Sequence, residues 1–340
     1  MSTIPPSASA AIVGAGTAGL LHALALRAAG VRIDAVYDPS REQASALAGL
    51  VGARVLRDLS PLEDSPHGIV SLTSPPKVHV VQACRLARPG RRLIVEKPLG
   101  TSAVEFACLE SLPGLVPVLQ WRTGRGLRAL RAGVRHGVFG DRPRVTFRLL
   151  WPRGDAYFEG GRRGMFAWGA SMLLSVGIHA VDAGLFLLGE ERRAGLVDLH
   201  GSEEWSIPRL DVATRAQLTA TFRSGAELRV FLDTDPRSAG HLEQTRLRIE
   251  GGGACAELAG TEADPTSARP SVTGDIGHII EDACAPLAHL AAPPLLVPFI
   301  AEMLAGAPPA PWAQVALAHE IIFRIMANSK APIALAGGGP

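Results

Sequence analysis

The tightest constraint on the fold is a glycine run, Gly14-Ala15-Gly16-Thr17-Ala18-Gly19, set between the apolar stretch Ala10-Ala11-Ile12-Val13 and a helical segment from Ala18 to Ala29 that stops at Gly30. A short apolar run, a tight glycine turn and a helix form a strand-turn-helix unit. Gly14 permits the turn, Gly16 lets the backbone approach a pyrophosphate, and Gly19 lets the helix pack on the strand, with the N-terminus of the helix facing the anion. A second apolar segment, Val31 to Tyr37, follows at once and ends in Asp38, about 20 residues beyond the last glycine, where a carboxylate can accept hydrogen bonds from an adenosine ribose. The unit is therefore expected to bind a dinucleotide. Thr17 and Ala18 open the helix against it. Asp38 favours NAD, because its charge repels a 2′-phosphate; Ser40 and Arg41 just beyond it leave NADP open.

Two further strand ends extend this unit. Gly68-Ile-Val-Ser-Leu-Thr-Ser-Pro-Pro76 reads as a strand closing in a Pro-Pro turn, with a helix from Lys77 to Ala87; Thr73, Ser74, Pro75 and His79 are expected near the cofactor crevice. His79 reads as a helix-start residue with a satisfied ring and is given no chemistry. The apolar run Arg92 to Val95 ends in Glu96-Lys97-Pro98. Of 34 lysines and arginines only Lys77, Lys97 and Lys330 are lysines, so a lysine kept at a strand end is unlikely to be incidental. A partly buried lysine can exchange a proton near neutral pH, which arginine does not do.

The glycine motif, Thr73-Ser-Pro-Pro-x-x-His79, Val95-Glu-Lys-Pro98 and Gly177-Ile-His-Ala-Val-Asp182 together resemble the Gfo/Idh/MocA oxidoreductase family, in order and spacing along nearly the whole chain. The resemblance implies an α/β fold: an N-terminal Rossmann domain that holds NAD(P), and a C-terminal α+β domain with an open, mostly antiparallel sheet that holds substrate. It assigns Lys97 as the catalytic lysine, with Glu96 beside it at the cofactor, and His179 as its acid/base partner. The activity it implies is hydride transfer between nicotinamide and a carbinol or carbonyl carbon of a sugar, sugar derivative or cyclitol, in either direction. The alternatives are reduction of a cyclic imine or another C=O or C=N group, and a non-catalytic NAD(P)-binding sensor or partner subunit. Members of the family usually carry three glycines before the histidine helix and Asp or Asn four residues before the histidine, where this chain has Gly169-Ala170-Ser171 and Ser175. A serine can hydrogen-bond an imidazole or a substrate hydroxyl, but it supplies no charge to stabilise an imidazolium.

Helical spacing supports the histidine independently. Over Ser171 to Leu188 the residues Leu174, Ile178, Val181, Leu185 and Leu188 share a stripe, while Ser175, His179 and Asp182 lie within roughly 60° of one another on a second, polar one. Arg122, Arg125, Arg128, Arg131 and Arg135 recur at mostly three-residue spacing, giving a basic helical stripe that reads either as a solvated face or as an anion site led by Arg122. The glycine-rich segment from Trp151 to Trp168, with Asp155, Tyr157, Arg162 and Arg163, reads as a specificity loop in which Tyr157 and Trp168 either stack on the substrate or anchor the loop.

A length of 340 residues and 47% hydrophobic content suit two domains, placed at 1–121 and 122–340, with a final helix, Trp312 to Ser329, returning to the first. Alternating segments at Val145 to Trp151, Arg215 to Phe222, Ala226 to Leu232, Thr245 to Glu250 and Ala254 to Leu258 predict successive hairpins. One face of that sheet is expected to lie under the His179 helix and the other, apolar, under a second copy, making a homodimer or homotetramer. No apolar run reaches the roughly eighteen residues of a membrane span, and Met1 to Ala10 lacks the marks of a signal peptide, so no membrane and a cytoplasmic location are expected. A net charge of +2 without interleaved aromatics argues against nucleic acid. The four cysteines, Cys84, Cys108, Cys255 and Cys284, are dispersed and read as small core residues, and the ten histidines show no ligand spacing, so no metal is expected.

Overall fold

The computed structural model describes residues 9–154, 157, 171–189, 195–206, 212–238, 244–261, 266–273, 295–307 and 310–329. The first half builds a six-stranded parallel sheet from β1 (Ser9–Val13), β2 (Arg32–Tyr37), β3 (Arg54–Val55), β4 (Ile69–Leu72), β5 (Arg92–Val95) and β6 (Leu115–Pro117), in the order β3-β2-β1-β4-β5-β6. That order reverses at β1/β4, so the crevice for a dinucleotide opens outside the carboxyl ends of these strands. Helices α1 (Thr17–Ala28), α2 (Arg41–Val51), α3 (Ser60–Glu63), α4 (Pro76–Leu86) and α5 (Ala103–Ala107) cover it. The strands are apolar throughout because both faces are buried: Ala10 and Ile12 join the core under α1 and α2, and Ala11 and Val13 the core under α4.

The second sheet has seven strands: β7 (Arg144–Leu150), β8 (Leu196–Glu204), β9 (Arg215–Phe222), β10 (Glu227–Asp233), β11 (Gln244–Gly251), β12 (Ala254–Gly260) and β13 (Ser271–Thr273), in the order β13-β12-β11-β7-β10-β9-β8. Hairpins join β9 to β10 and β11 to β12 as the alternation predicts, but β7 and β10 run parallel, so the sheet is mixed. The edge strand β8 escapes the sequence reading because its side chains alternate too weakly in polarity and are mostly exposed. One face carries Phe147, Leu149, Leu218, Phe222, Leu228, Val230, Leu247 and Ile249 and packs on α6 (Arg125–Arg135) and α7 (Ile178–Leu188).

The opposite face corrects the expectation of an apolar surface. It presents Arg144 and Arg148 from β7, Glu227 and Arg229 from β10, Arg246, Arg248 and Glu250 from β11 and Glu257 from β12. Arg144 bonds Glu227 and Glu250, and Arg248 bonds Glu250 and Glu257. The cysteines also depart from expectation: Cys84 and Cys108 are exposed, Cys255 is half-buried, and Cys284 lies outside the described residues.

After β13, α8 (Leu296–Leu304) packs on α1, and α9 (Trp312–Asn328) packs on α7, β8 and α5, stacking Trp312 on Phe106 at 4.9 Å. His319 fastens α9 to the loop after β5: Nδ1–H donates to the Val315 carbonyl at 2.8 Å and Nε2 accepts from the Leu99 amide at 3.4 Å. Burial depresses its pKa to about 4. A histidine that resists protonation in the fold contributes stability above its unfolded value, and loses it as pH falls through 6.5 towards 4. Burial lowers His67, His79 and His179 in the same direction. Denaturant titrations should therefore show a stability loss between pH 6.5 and 4, with on the order of 3 kcal/mol from His319 alone; His319→Gln, which cannot titrate, should flatten that pH dependence.

Candidate active site

The glycine loop takes the form its sequence requires. Gly14 has φ of 103°, and a Cβ there would sit 2.5 Å from the Ser74 amide nitrogen. A Cβ on Gly19 would lie 2.0 Å from the Gly14 carbonyl oxygen, whereas one on Gly16 would meet nothing within 4 Å. Gly14 and Gly19 thus serve packing and Gly16 keeps an open approach. Gly16 caps α1 without a side-chain hydrogen bond, leaving the first-turn amides of Thr17 and Ala18 for an anion. Asp38 braces this loop: Oδ2 accepts from the Ala15 amide and Oδ1 from the Ser40 amide, both at 2.8 Å. The Ser40 hydroxyl caps α2 by accepting from the Gln43 amide, and Arg41 is exposed on its first turn. Thr73 Oγ1 donates to the Gly14 carbonyl at 2.7 Å, tying β4 to the turn. Ser74 is turned away from the crevice towards Gln82. These features fit the pyrophosphate and ribose of a dinucleotide.

His79 is buried, with Nδ1 2.9 Å from the Pro98 carbonyl and Nε2 2.7 Å from the Ser74 carbonyl, so it staples the turn containing Pro75 to the turn after β5. Burial lowers its pKa although both carbonyls favour the protonated ring. Only the protonated ring could donate to both carbonyls; the neutral ring donates to one of them.

Lys97 follows β5 and reaches across to the second domain, where Nζ donates to the Ser175 carbonyl at 2.7 Å. The helix predicted over Ser171 to Leu188 begins with a π turn, Leu173–Gly177, before α7. Ser175 lies within this π turn and offers its carbonyl, not its side chain, to the lysine. The Ser175 hydroxyl points to Met172 Sδ at 3.9 Å, so the expected contact with imidazole is not made. Asp182 does not serve His179 either. It is 1% exposed and takes a bidentate pair from Arg122, whose Nε lies 2.7 Å from Oδ2. Burial pushes the Asp182 carboxyl up and the guanidinium partly offsets this. Arg122 is accordingly committed to Asp182, and of the basic stripe Arg128 pairs with Glu302 and Arg131 lies over Phe186. The anion site led by Arg122 is not formed.

His179 is 5% exposed and stacks on Trp121 with centroids 5.2 Å apart and 13° between planes. Its Nδ1 is buried with no partner among the described residues. Burial, and then the charge of Lys97, holds its pKa well below the ordinary value, so the ring is neutral at neutral pH. Trp121 continues to Trp151 at 6.1 Å, and Arg153 lies over both Trp151 and Tyr157, which brings Tyr157 to the same wall. Trp168, with Asp155, Arg162 and Arg163, lies outside the described residues.

Two residues were missed from the sequence. Gln120, beside Trp121, has its Oε1 buried without a partner among the described residues. His22 on α1 binds Glu96: Nε2 is 2.9 Å from Glu96 Oε1, and Nδ1 is 2.6 Å from Ser71 Oγ. Glu96 therefore turns inward and does not line the cofactor crevice. Burial alone would raise its pKa, but the His22 hydrogen bond and the electrostatics of His22, Lys97 and His179 bring it down to about 2. The only signal for His22 was its place three residues beyond Gly19, which carries no chemical meaning until the fold puts α1 beside β5.

A parallel sheet in the 3-2-1-4-5-6 order, an open glycine turn at an uncapped helix and a carboxylate ending β2 define a dinucleotide-binding chain with a second, mixed-sheet domain. Residues 8–109 match the family model GFO_IDH_MocA, an oxidoreductase family with an NAD-binding Rossmann fold. No curated protein matches by sequence. Among solved structures, the WlbA dehydrogenase from Bordetella pertussis in complex with NADH and UDP-GlcNAcA is 20% identical, with 95% of this chain and 96% of that one covered and a TM-score of 0.76. Levoglucosan dehydrogenase in complex with NADH and L-sorbose is 18% identical, covering 95% and 97%, at 0.73. A myo-inositol dehydrogenase from Corynebacterium glutamicum is 17% identical, covering 95% and 96%, at 0.67. These likenesses establish the two-domain fold.

The two glycines should separate in their effects. Gly19→Ala forces Cβ against the Gly14 carbonyl and should cost about 1–3 kcal/mol of stability. Gly16→Ala should keep the wild-type melting temperature while weakening NADH binding about tenfold, read by titration of tryptophan fluorescence.

Proposed function

We propose that the protein is an NAD-dependent oxidoreductase acting at a carbinol or carbonyl carbon of a sugar, sugar derivative or cyclitol. The observation that carries this reading is Lys97 Nζ held at the Ser175 carbonyl, with neutral His179 alongside, at the carboxyl edge of the dinucleotide sheet. The three solved relatives support the substrate class: their described complexes and names concern a UDP-sugar, a sugar and an inositol.

Bound NAD supplies hydride acceptor and donor chemistry at the nicotinamide ring. The backbone amides of Gly16, Thr17, Ala18 and Gly19 would hold its pyrophosphate on the turn that Gly14 shapes, Asp38 would meet the ribose, and Thr73 and Pro75 would border the crevice. Lys97 exchanges a proton with the substrate oxygen and stabilises the alkoxide as charge develops there. His179, neutral and without an acidic partner, orients the substrate hydroxyl by a hydrogen bond. Because no carboxylate among the described residues bonds its ring, and burial outweighs the charge of Glu96, the lysine carries the proton transfer. Tyr157 and the Trp121-Trp151 wall bound the substrate side, which limits water at the reacting carbon.

Absorbance of the nicotinamide at fixed protein, across sugars, nucleotide sugars, inositols and cyclic imines, tests the reading. Turnover on a polyol or sugar is expected, with Lys97→Ala lowering kcat roughly 100- to 10 000-fold and His179→Ala acting mainly on KM. Loss of turnover in His179→Ala alone would reverse the two roles. Turnover confined to imines would replace the substrate class.

The active form is a homodimer or homotetramer joined through the second sheet. Its charges are self-complementary: Arg148 and Arg246 face each other across β7 and β11 at one end, while Glu227 and Glu250 flank Arg144 at the other, so a two-fold axis sets the arginine end of one copy over the glutamate end of the next. Light scattering at micromolar concentration should give at least twice the 35.7 kDa chain mass, and Arg148→Glu with Arg246→Glu should return the monomer. No described helix is long and apolar enough to cross a membrane. Unpaired thiols at Cys84, Cys108 and Cys255 suit a reducing, cytoplasmic setting.

A further inference from the structure

The proposed reaction leaves one buried polar chain unused. Ser71 on β4, His22 on α1 and Glu96 at the end of β5 form a continuous line: Ser71 Oγ to His22 Nδ1 at 2.6 Å, His22 Nε2 to Glu96 Oε1 at 2.9 Å, and the Lys97 amide donating to Glu96 Oε2 at 3.0 Å. Ser71 and His22 are both fully buried, and the Glu96 side chain is 15% exposed. No cofactor atom needs this chain for binding, because the pyrophosphate site is made of backbone amides in the first turn of α1. Placing three polar side chains in a dry interior costs free energy unless each is paired, and here each is.

We propose that His22 is a positioning residue for Lys97. It acts by clamping the Glu96 carboxylate, whose second oxygen fixes the backbone of the lysine. The inference rests on the assignment of Lys97 made above. It adds a physical link that the assignment lacks. The helix whose first turn receives the cofactor also carries, about one and a half turns on, the imidazole that holds the lysine's neighbour. Lys97 is thus gripped at two points, its backbone by Glu96 and its Nζ by the Ser175 carbonyl. Besides the Lys97 amide, the groups whose electrostatics reach Glu96 are His22, Lys97 and His179. With His22 removed, the buried carboxylate loses its side-chain partner and turns towards Lys97 Nζ, drawing it from Ser175.

The chain has only three lysines, so 13C labelling of lysine Cε gives three resonances, and Lys97→Arg identifies the relevant one. In His22→Leu the Lys97 resonance should shift and its titration midpoint should rise by about one unit as the new ion pair forms, while Lys77 and Lys330 stay unchanged. In His22→Gln the amide can donate to Glu96 as Nε2 does, and the Lys97 resonance should return towards its wild-type position. Ser71→Ala, a milder change, should shift it partway. NADH affinity should change less than threefold in all three variants, and with a turned-over substrate kcat should fall in the same order as the resonance moves. A folded His22→Leu protein with an unmoved Lys97 resonance would overturn the proposal. So would loss of NADH binding in proportion to kcat, which would make His22 a packing residue of α1. If His22→Leu does not fold, Ser71→Ala and His22→Gln decide between the same outcomes. Because the resonances are read without substrate, the proposal stands or falls apart from the substrate class, and an inactive Lys97→Ala protein tests only the lysine's assignment.

Discussion

The contact on which the rest of the site depends is the hydrogen bond from Lys97 Nζ to the Ser175 carbonyl, because it joins the two sheets at the point where the dinucleotide crevice meets the second domain. Each partner needs its own local structure. Lys97 is brought to the carboxyl edge by the buried strand β5, and its backbone is held by Glu96. The Ser175 carbonyl is presented by the π turn Leu173–Gly177, at the start of a helix buried on nearly every side. The domain interface therefore orients the lysine, with its acceptor on the π turn.

Burial sets the protonation states around this contact. Glu96 stays ionised because His22 and the nearby positive charge outweigh its desolvation, whereas His179 stays neutral because nothing outweighs its own. Asp182, which the family pattern places close to the histidine, is committed to Arg122 in a buried pair that anchors α7 to the segment after β6. Breaking such a pair leaves an uncompensated buried charge, so Arg122 and Asp182 act in architecture and not in proton transfer.

The cofactor half of the fold was legible because its cues are local. Apolar runs, glycine spacing and a carboxylate at the end of β2 each act within a few residues of where they are read, and β1, α1, β2, β4, α4 and β5 lie where those cues put them, whereas α2, β3 and α3 carried no such cue. Lys97 and His179 were legible as residue types on strand and helix ends. Their partners were not. Whether Ser175 offers its hydroxyl or its carbonyl depends on a π turn that no periodicity announces. Whether Arg122 meets substrate or Asp182 depends on how two distant segments pack. The charged outer face of the second sheet was misread because the alternating pattern identifies the inward residues, while Arg148, Arg246 and Glu250 fall into order only once strand register is known. His22 was invisible for the same reason, its meaning arising only when α1 and β5 lie side by side.

The central claim is that the glycine turn and Lys97 serve one bound cofactor. A crystal structure with NADH tests it most directly. The account predicts the pyrophosphate on the amides of Gly16 to Gly19 and the nicotinamide C4 facing Lys97 and His179, with space for a substrate carbon between them. A cofactor bound at the glycine turn but with its nicotinamide directed away from Lys97, or no binding at that turn, would contradict it.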